Sequence, residues 1–262
     1  MHLSLKTVVV ALLLSGGVAV AQESAAPSAP ATSAPATTRA ALPKQQADEA
    51  APKMDARTGE VQARFSQMHE RFIAQAKQGN VELLFLGDSI TEGWGRNGKE
   101  AWEQRYAGKH KVANFGIGGD QTQHVLWRIT NGELDGIKPK VTVLMIGTNN
   151  AKDFEPDAVA RGIEKIVKEL RERTGTKVLL LAIFPRGQAP SDALRVKNAQ
   201  VNETISKLDD GKSVRFLDIG PKFLGPDGTL TKEIMPDLLH LSPKGYQIWA
   251  DAIDPLLSEM MQ

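Results

Sequence analysis

Three observations predict an α/β fold in which a parallel sheet lies between two layers of helices. Short apolar segments alternate with amphipathic ones, several of the short segments are apolar on both faces, and polar or Gly-rich stretches follow their carboxyl ends. The spacing predicts five strands, over Leu83–Gly87, Val112–Phe115, Val141–Ile146, Val178–Phe184 and Val214–Ile219. Ahead of them, Val61, Phe65, Met68, Phe72 and Ala76 recur at helical spacing and predict a first helix running to Lys77, with His69 off its apolar stripe. Val159, Ile163, Ile166 and Leu170 mark a helix between the third and fourth strands, and Leu194, Val201, Ile205 and Leu208 mark another before the fifth. A last helix starts at Ser242-Pro243, a serine cap followed by proline at the first helical position.

Three regions are expected along the 262 residues. Residues 1–21 combine Lys6, an apolar run from Val8 to Leu14 and Ala19-Val20-Ala21, the pattern of an export signal cleaved before Gln22. Its apolar run is too short to span a bilayer comfortably, so the mature protein is expected in the periplasm or outside the cell with no integral membrane segment. Residues 22–55 are Ala, Pro, Ser and Thr with scattered charge, a composition that cannot bury enough surface to offset its ordering entropy; a disordered linker is expected. Residues 56–262 are expected to form the folded domain, in which any functional site must lie. The chain contains no cysteine, which excludes a disulfide framework and a thiolate metal site. Residues 1–21 contain one of the 32 Lys and Arg and no acid, so 31 bases face 31 acids in the remainder. That balance gives no general attraction to nucleic acid.

Ser89 directly follows the first strand, and Asp237-Leu-Leu-His240 lies far downstream. These are the groups acyl transfer needs: a hydroxyl that attacks, an imidazole that takes its proton and a carboxylate that fixes the imidazole tautomer. Of five histidines, only His240 has an acid at a suitable range; a structural cap on the Ser242 turn is the plain alternative. Gly87-Asp-Ser-Ile90 lacks the G-x-S-x-G elbow of α/β-hydrolases. Asn114–Asp120 and Ile146–Asn150 are suited to holding an oxyanion, since a glycine lets backbone N–H groups approach closely. Gly116-x-Gly118-Gly119 fails as a dinucleotide loop because Gln121 stands where the final glycine belongs. No histidine pair has metal spacing, and neither metal nor cofactor is expected. His124 lies four residues past the glycine loop and is a candidate for lining the cleft. Trp94 either closes off a small acyl pocket or packs in the core.

Gly87-Asp88-Ser89, Gly119, Asn149 and Asp237-x-x-His240 occur in the order of the four blocks of the SGNH (GDSL-type) hydrolase superfamily, which the chain resembles over about residues 60–258. The stretch Asn114–Leu134, with Gly147-Thr-Asn-Asn150, Pro185-Arg-Gly187 and Asp237-Leu-Leu-His-Leu241, is more specifically similar to the catalytic α subunits of intracellular platelet-activating-factor acetylhydrolase. The resemblance implies a flavodoxin-like α/β/α sandwich with five parallel strands. It implies Ser89 as nucleophile, His240 as base and Asp237 as its orienting acid, with the Ser89 and Gly119 N–H groups and the Asn149 amide as oxyanion hole. The expected substrate is a short acyl ester, acetyl above all, on a small molecule or an acetylated glycan. Acyl transfer onto a glycan, or envelope binding without catalysis, would use the same fold.

Overall fold

The structure, a computed structural model, describes residues 44–262. The expected signal at 1–21 and residues 22–43 of the expected linker lie outside the described residues. Five strands, β1 (Leu83–Gly87), β2 (Val112–Gly116), β3 (Val141–Met145), β4 (Lys177–Leu181) and β5 (Val214–Leu217), form one sheet in the order β2-β1-β3-β4-β5. Every neighbouring pair is parallel. The helices are α1 (Ala63–Lys77), α2 (Ser89–Glu92), α3 (Lys99–Trp102), α4 (Thr122–Arg128), α5 (Pro156–Thr174), α6 (Ala193–Ile205) and α7 (Pro243–Met261).

Side chains alternate along each strand, so one run of apolar residues feeds two cores. In β1, Leu84 and Leu86 join a core with α1, α4, α5 and α6, whereas Leu83 and Phe85 point into a second core with α3 and α7. This is the flavodoxin-like three-layer sandwich. In that strand order the chain leaves β1 toward one edge and returns at β3 toward the other. The two diverging loops open a crevice at the carboxyl ends of β1 and β3, where such sheets bind ligands.

Beyond shifts of one or two residues at strand ends, three features differ from the sequence expectation. The fourth strand stops at Leu181 because Asn202 of α6 takes over the backbone of Ile183: its Oδ1 accepts from Ile183 N at 2.7 Å and its Nδ2 donates to Ile183 O at 2.9 Å. On α1 the buried face is Phe65, His69, Phe72 and Ala76, while Val61 lies 38% exposed. His69 is therefore inside, paired with Glu133 Oε1 at 2.9 Å and packed on Trp127. The largest correction concerns residues 44–55, which are not a free linker but a strap bound to the domain. Ala47 is wholly buried, Met54 pairs antiparallel with Val61, and Asp48 meets Arg161 and Lys165 of α5. Gly162 makes this passage possible, since a Cβ there would stand 2.5 Å from Ala47 O. Main-chain polar groups of the strap find partners on α4 and near the start of α1, which compensates for its few large apolar side chains.

Candidate active site

The loop after β1 is a single residue long, so Ser89 stands at the first position of α2 on the rim of the crevice. Asp88, fully buried, caps this helix by accepting from Ile90 N at 2.9 Å. Tyr246 of α7 anchors it from the other side, donating to Ile90 O at 2.6 Å. The segment before α7 then brings Asp237-Leu-Leu-His240 to the same place. Ser89 Oγ lies 2.8 Å from His240 Nε2, and His240 Nδ1 lies 2.6 Å from Asp237 Oδ2. Because a carboxylate only accepts, Nδ1 carries the proton and Nε2 is left to accept from the serine.

Asp237 is fixed by more than the imidazole. Its Oδ1 accepts from the backbone N–H of Leu239 and His240 at 3.1 and 2.7 Å. Partial burial pushes its carboxyl up, but the hydrogen bonds from the His240 side chain and the loop backbone outweigh that, and the net shift is downward. Leu238 adopts the left-handed region at φ 60°, which costs a branched side chain strain. Two bonds impose it: Leu238 N–H to Met235 O and Gly187 N–H to Leu238 O, at 2.8 and 2.9 Å.

The two segments predicted to hold an oxyanion lie side by side. Asn149 Nδ2 donates to Asp120 O at 2.9 Å, which leaves its second amide hydrogen without an acceptor among the described residues. Buried Asn150 stitches the same loops together: its Oδ1 accepts from Thr122 N at 3.0 Å and its Nδ2 donates to Gln123 Oε1 at 3.1 Å. Gly119 sits at φ 75°, and a Cβ on Gly118 would approach Ser89 Cβ to 3.8 Å. Among the described residues, neither the Ser89 nor the Gly119 N–H donates to a protein acceptor.

Two predicted pocket residues are elsewhere. Trp94 is wholly buried in the second core, with ring centroids 4.7 Å from Tyr246 and 4.9 Å from Trp249. His124 is buried beneath the strap. Its Nδ1 accepts from Gln121 N at 3.1 Å and its Nε2 donates to Gln45 Oε1 at 3.2 Å. Burial first, then the charges of Lys53 and Arg128, lower its pKa to about 3, so the ring is neutral. Neither lines the crevice.

Residues that the sequence did not single out surround the site. Arg128 is fully buried, donates to Asp120 Oδ2 at 2.8 Å, pairs with Glu133 and reaches the carbonyl of Phe115 at 3.1 Å. Burial disfavours its charge, yet the two acids hold it protonated. Burial raises Asp88 to about 7 and Asp120 to about 6. Lys53 of the strap joins Asp120 at 3.9 Å, and burial lowers its ammonium from the ordinary value against that attraction. Arg186 donates to Thr148 O at 3.0 Å and faces Asp88 and Asp237. Asp88, one residue before a helix start, had a capping signal; the buried Asp120–Arg128–Glu133 group had none, because only the tertiary fold brings the three together.

Among the described residues no cluster of three or more potential metal-ligating His, Cys, Asp or Glu side chains occurs, and no helix is long and apolar enough to cross a membrane.

Residues 85–248 match the GDSL-like lipase/acylhydrolase family. Platelet-activating factor acetylhydrolase IB subunit alpha1 of Homo sapiens is 41% identical over 200 residues, spanning 76% of this chain and 84% of that protein. The alpha2 subunit of Rattus norvegicus is 38% identical over 201 residues, spanning 76% and 86%. Among solved structures, a GDSL-like lipase from Bacteroides thetaiotaomicron shares the fold with TM-score 0.60 at 20% identity, covering 74% of this chain and 97% of that one. A mutant acetyl-xylooligosaccharide esterase from Geobacillus does so with TM-score 0.54 at 23% identity, covering 70% and 96%. A serine bonded to an imidazole and carboxylate at the crevice of this fold thus agrees with the sequence relationships: the chain belongs to the GDSL-like lipase/acylhydrolase family and is a serine ester hydrolase.

Proposed function

We propose that the protein hydrolyses short-chain esters, acetyl esters above all, through an acyl-enzyme formed on Ser89. The observation that carries this reading is the unbroken hydrogen-bonded chain from Ser89 Oγ through His240 to Asp237. Ser89 Oγ attacks the ester carbonyl while His240 Nε2 takes its proton; the imidazolium that forms is held by Asp237. The carbonyl oxygen becomes an oxyanion that accepts from the Ser89 and Gly119 N–H groups and the free Asn149 amide hydrogen. His240 then protonates the leaving alcohol, and a water activated by the same imidazole releases the acid and frees the serine.

Two features support a short acyl group on a polar molecule. The His240 and Asp237 side chains keep 40% and 56% of their exposure, so the crevice is open rather than roofed. The curated relatives bear the name acetylhydrolase. Residues 1–21 would direct the protein out of the cytoplasm, and the mature chain would begin at Gln22, which intact mass of the exported protein would verify.

The decisive measurement is kcat/KM for p-nitrophenyl acetate, butyrate, octanoate and palmitate below their aggregation limits, with Ser89→Ala alongside. A lipase gains roughly 0.8 kcal/mol per methylene buried, whereas here activity should fall beyond about four carbons as methylenes clash or stay wet. A maximum at octanoate or longer would overturn the short-acyl reading. Ser89→Ala should lower turnover by at least about 10⁴-fold with the fold intact, and retained turnover would overturn the nucleophile. Including a sugar acceptor in the assay separates hydrolysis from acyl transfer.

A further inference from the structure

The strap brings a cation to one particular peptide group. Lys53 Nζ donates to Gly118 O at 2.6 Å, and the side chain keeps only 16% of its exposure. Its main chain is anchored, with Gln62 N–H donating to Lys53 O at 2.8 Å and Met54 bridged to Val61. Around it, the glycine loop is bonded at nearly every polar group. Ile117 N–H donates to Gly87 O at 3.2 Å and Ile117 O accepts from Asp120 N at 3.1 Å. Gly118 N–H donates to Glu92 Oε2 at 2.7 Å, and Asp120 O accepts from Asn149. Of the N–H groups from Ile117 to Asp120, only that of Gly119 lacks an acceptor among the described residues.

The Gly118 carbonyl and the Gly119 N–H are the two ends of one peptide. A cation bonded to the carbonyl draws electron density toward the oxygen and leaves the N–H more positive, the cooperative polarisation known for hydrogen-bond chains. Bonds with an ionised donor are also the stronger class. We infer that Lys53 is a positioning residue for catalysis: it locks the Gly118–Gly119 peptide and polarises its N–H as an oxyanion donor, without touching substrate. The inference rests on the reading of Gly119 as an oxyanion donor. It gives the strap a part in transition-state stabilisation in addition to its packing.

The test compares Lys53→Met, Lys53→Gln and Lys53→Arg with Asn149→Ala in the full chain on p-nitrophenyl acetate. Trifluoroacetone serves as a second probe, because Ser89 adds to its carbonyl to give a tetrahedral hemiketal oxyanion whose pKa is followed by carbon-13 NMR. Lys53→Met and Lys53→Gln should lower kcat about 10-fold, a fraction of the roughly 100- to 1000-fold for losing a whole donor, with KM within about twofold. The hemiketal pKa should rise by about one unit, the same factor expressed on the bound anion. Lys53→Arg should restore most of both. Glutamine keeps a hydrogen-bond donor but no charge, so it remains informative if methionine loosens the strap. Wild-type kcat and hemiketal pKa in Lys53→Gln, with Asn149→Ala impaired, would overturn the role of Lys53 and leave the oxyanion reading standing. Unchanged kcat in Asn149→Ala as well would overturn the oxyanion reading itself.

Discussion

Asn149 shows how one side chain can serve structure and chemistry together. One amide hydrogen ties the β3 loop to Asp120 O at 2.9 Å, and the other is the proposed donor to the transition state. A bond that strengthens as the carbonyl oxygen gains charge lowers the barrier more than it tightens substrate binding. Asn149→Ala should therefore reduce kcat by on the order of 100- to 1000-fold with a small change in KM. If KM alone moved, Asn149 would be a binding residue and the hole would lack its side-chain donor. Asn150, next in the chain, is fully buried and bonded to Thr122 and Gln123, so its replacement should be felt as lost stability.

Among the elements, the strap at residues 44–55 is held by polar and main-chain bonds to α4, α5 and the start of α1. Gly162 on α5 is the pivot, with Ala47 O and the Thr122 side chain both inside the volume a Cβ would occupy. Gly162→Val should push the strap off α5 although valine is tolerated in a helix. The expected result is a loss of roughly 1 to 3 kcal/mol, in the range of overpacking, with new protease cleavage between residues 44 and 55. Equal stability and unchanged cleavage would mean that the strap does not depend on this close passage. Trp94 illustrates the opposite case. Its indole packs against Phe85, Tyr246 and Trp249 in the second core, so it supports α2 from behind and does not size an acyl pocket.

At the scale of the whole molecule, buried titratable groups beneath the crevice contribute to the pH dependence of stability. Asp88 titrates at about 7 in the folded protein, raised by burial from 3.8. Between those values the folded state holds a proton that the unfolded chain has released, so this group makes stability fall as pH rises through that window. Asp120, raised to about 6, acts in the same sense. His124 opposes them: its folded pKa of about 3 lies below its ordinary 6.5, so it removes stability as pH falls through that range. Asp88→Asn can keep the cap on Ile90 N and cannot ionise. Its stability relative to wild type should climb between about pH 4 and pH 7 by roughly 2 to 4 kcal/mol. Thermal unfolding of both proteins across that interval gives the answer, and parallel curves would mean Asp88 does not ionise as assigned.

Periodicity determined the parallel sheet from the chain alone, because strands buried on both faces must be apolar throughout and helices buried on one side must carry a stripe. Leu83–Gly87 and the Ser242-Pro243 helix start coincide with the sequence expectation, since turn and cap chemistry is local. Ser89 was legible through its type and its place after a strand end, and Asp237 and His240 through their mutual spacing just ahead of the last helix, together with the family resemblance. Tertiary structure decided what depends on distant neighbours. Residues 44–55 have the composition of a linker, and only the folded domain supplies their backbone partners, on α4, on α5 and near the start of α1. His69 reads as lying off the apolar stripe and His124 as lining the cleft, and Arg128 carries no signal of burial, yet Glu133, Gln45 and Asp120 meet them inside. A buried polar group is stable only when its partner arrives, and partners such as these lie up to 79 positions apart in the chain.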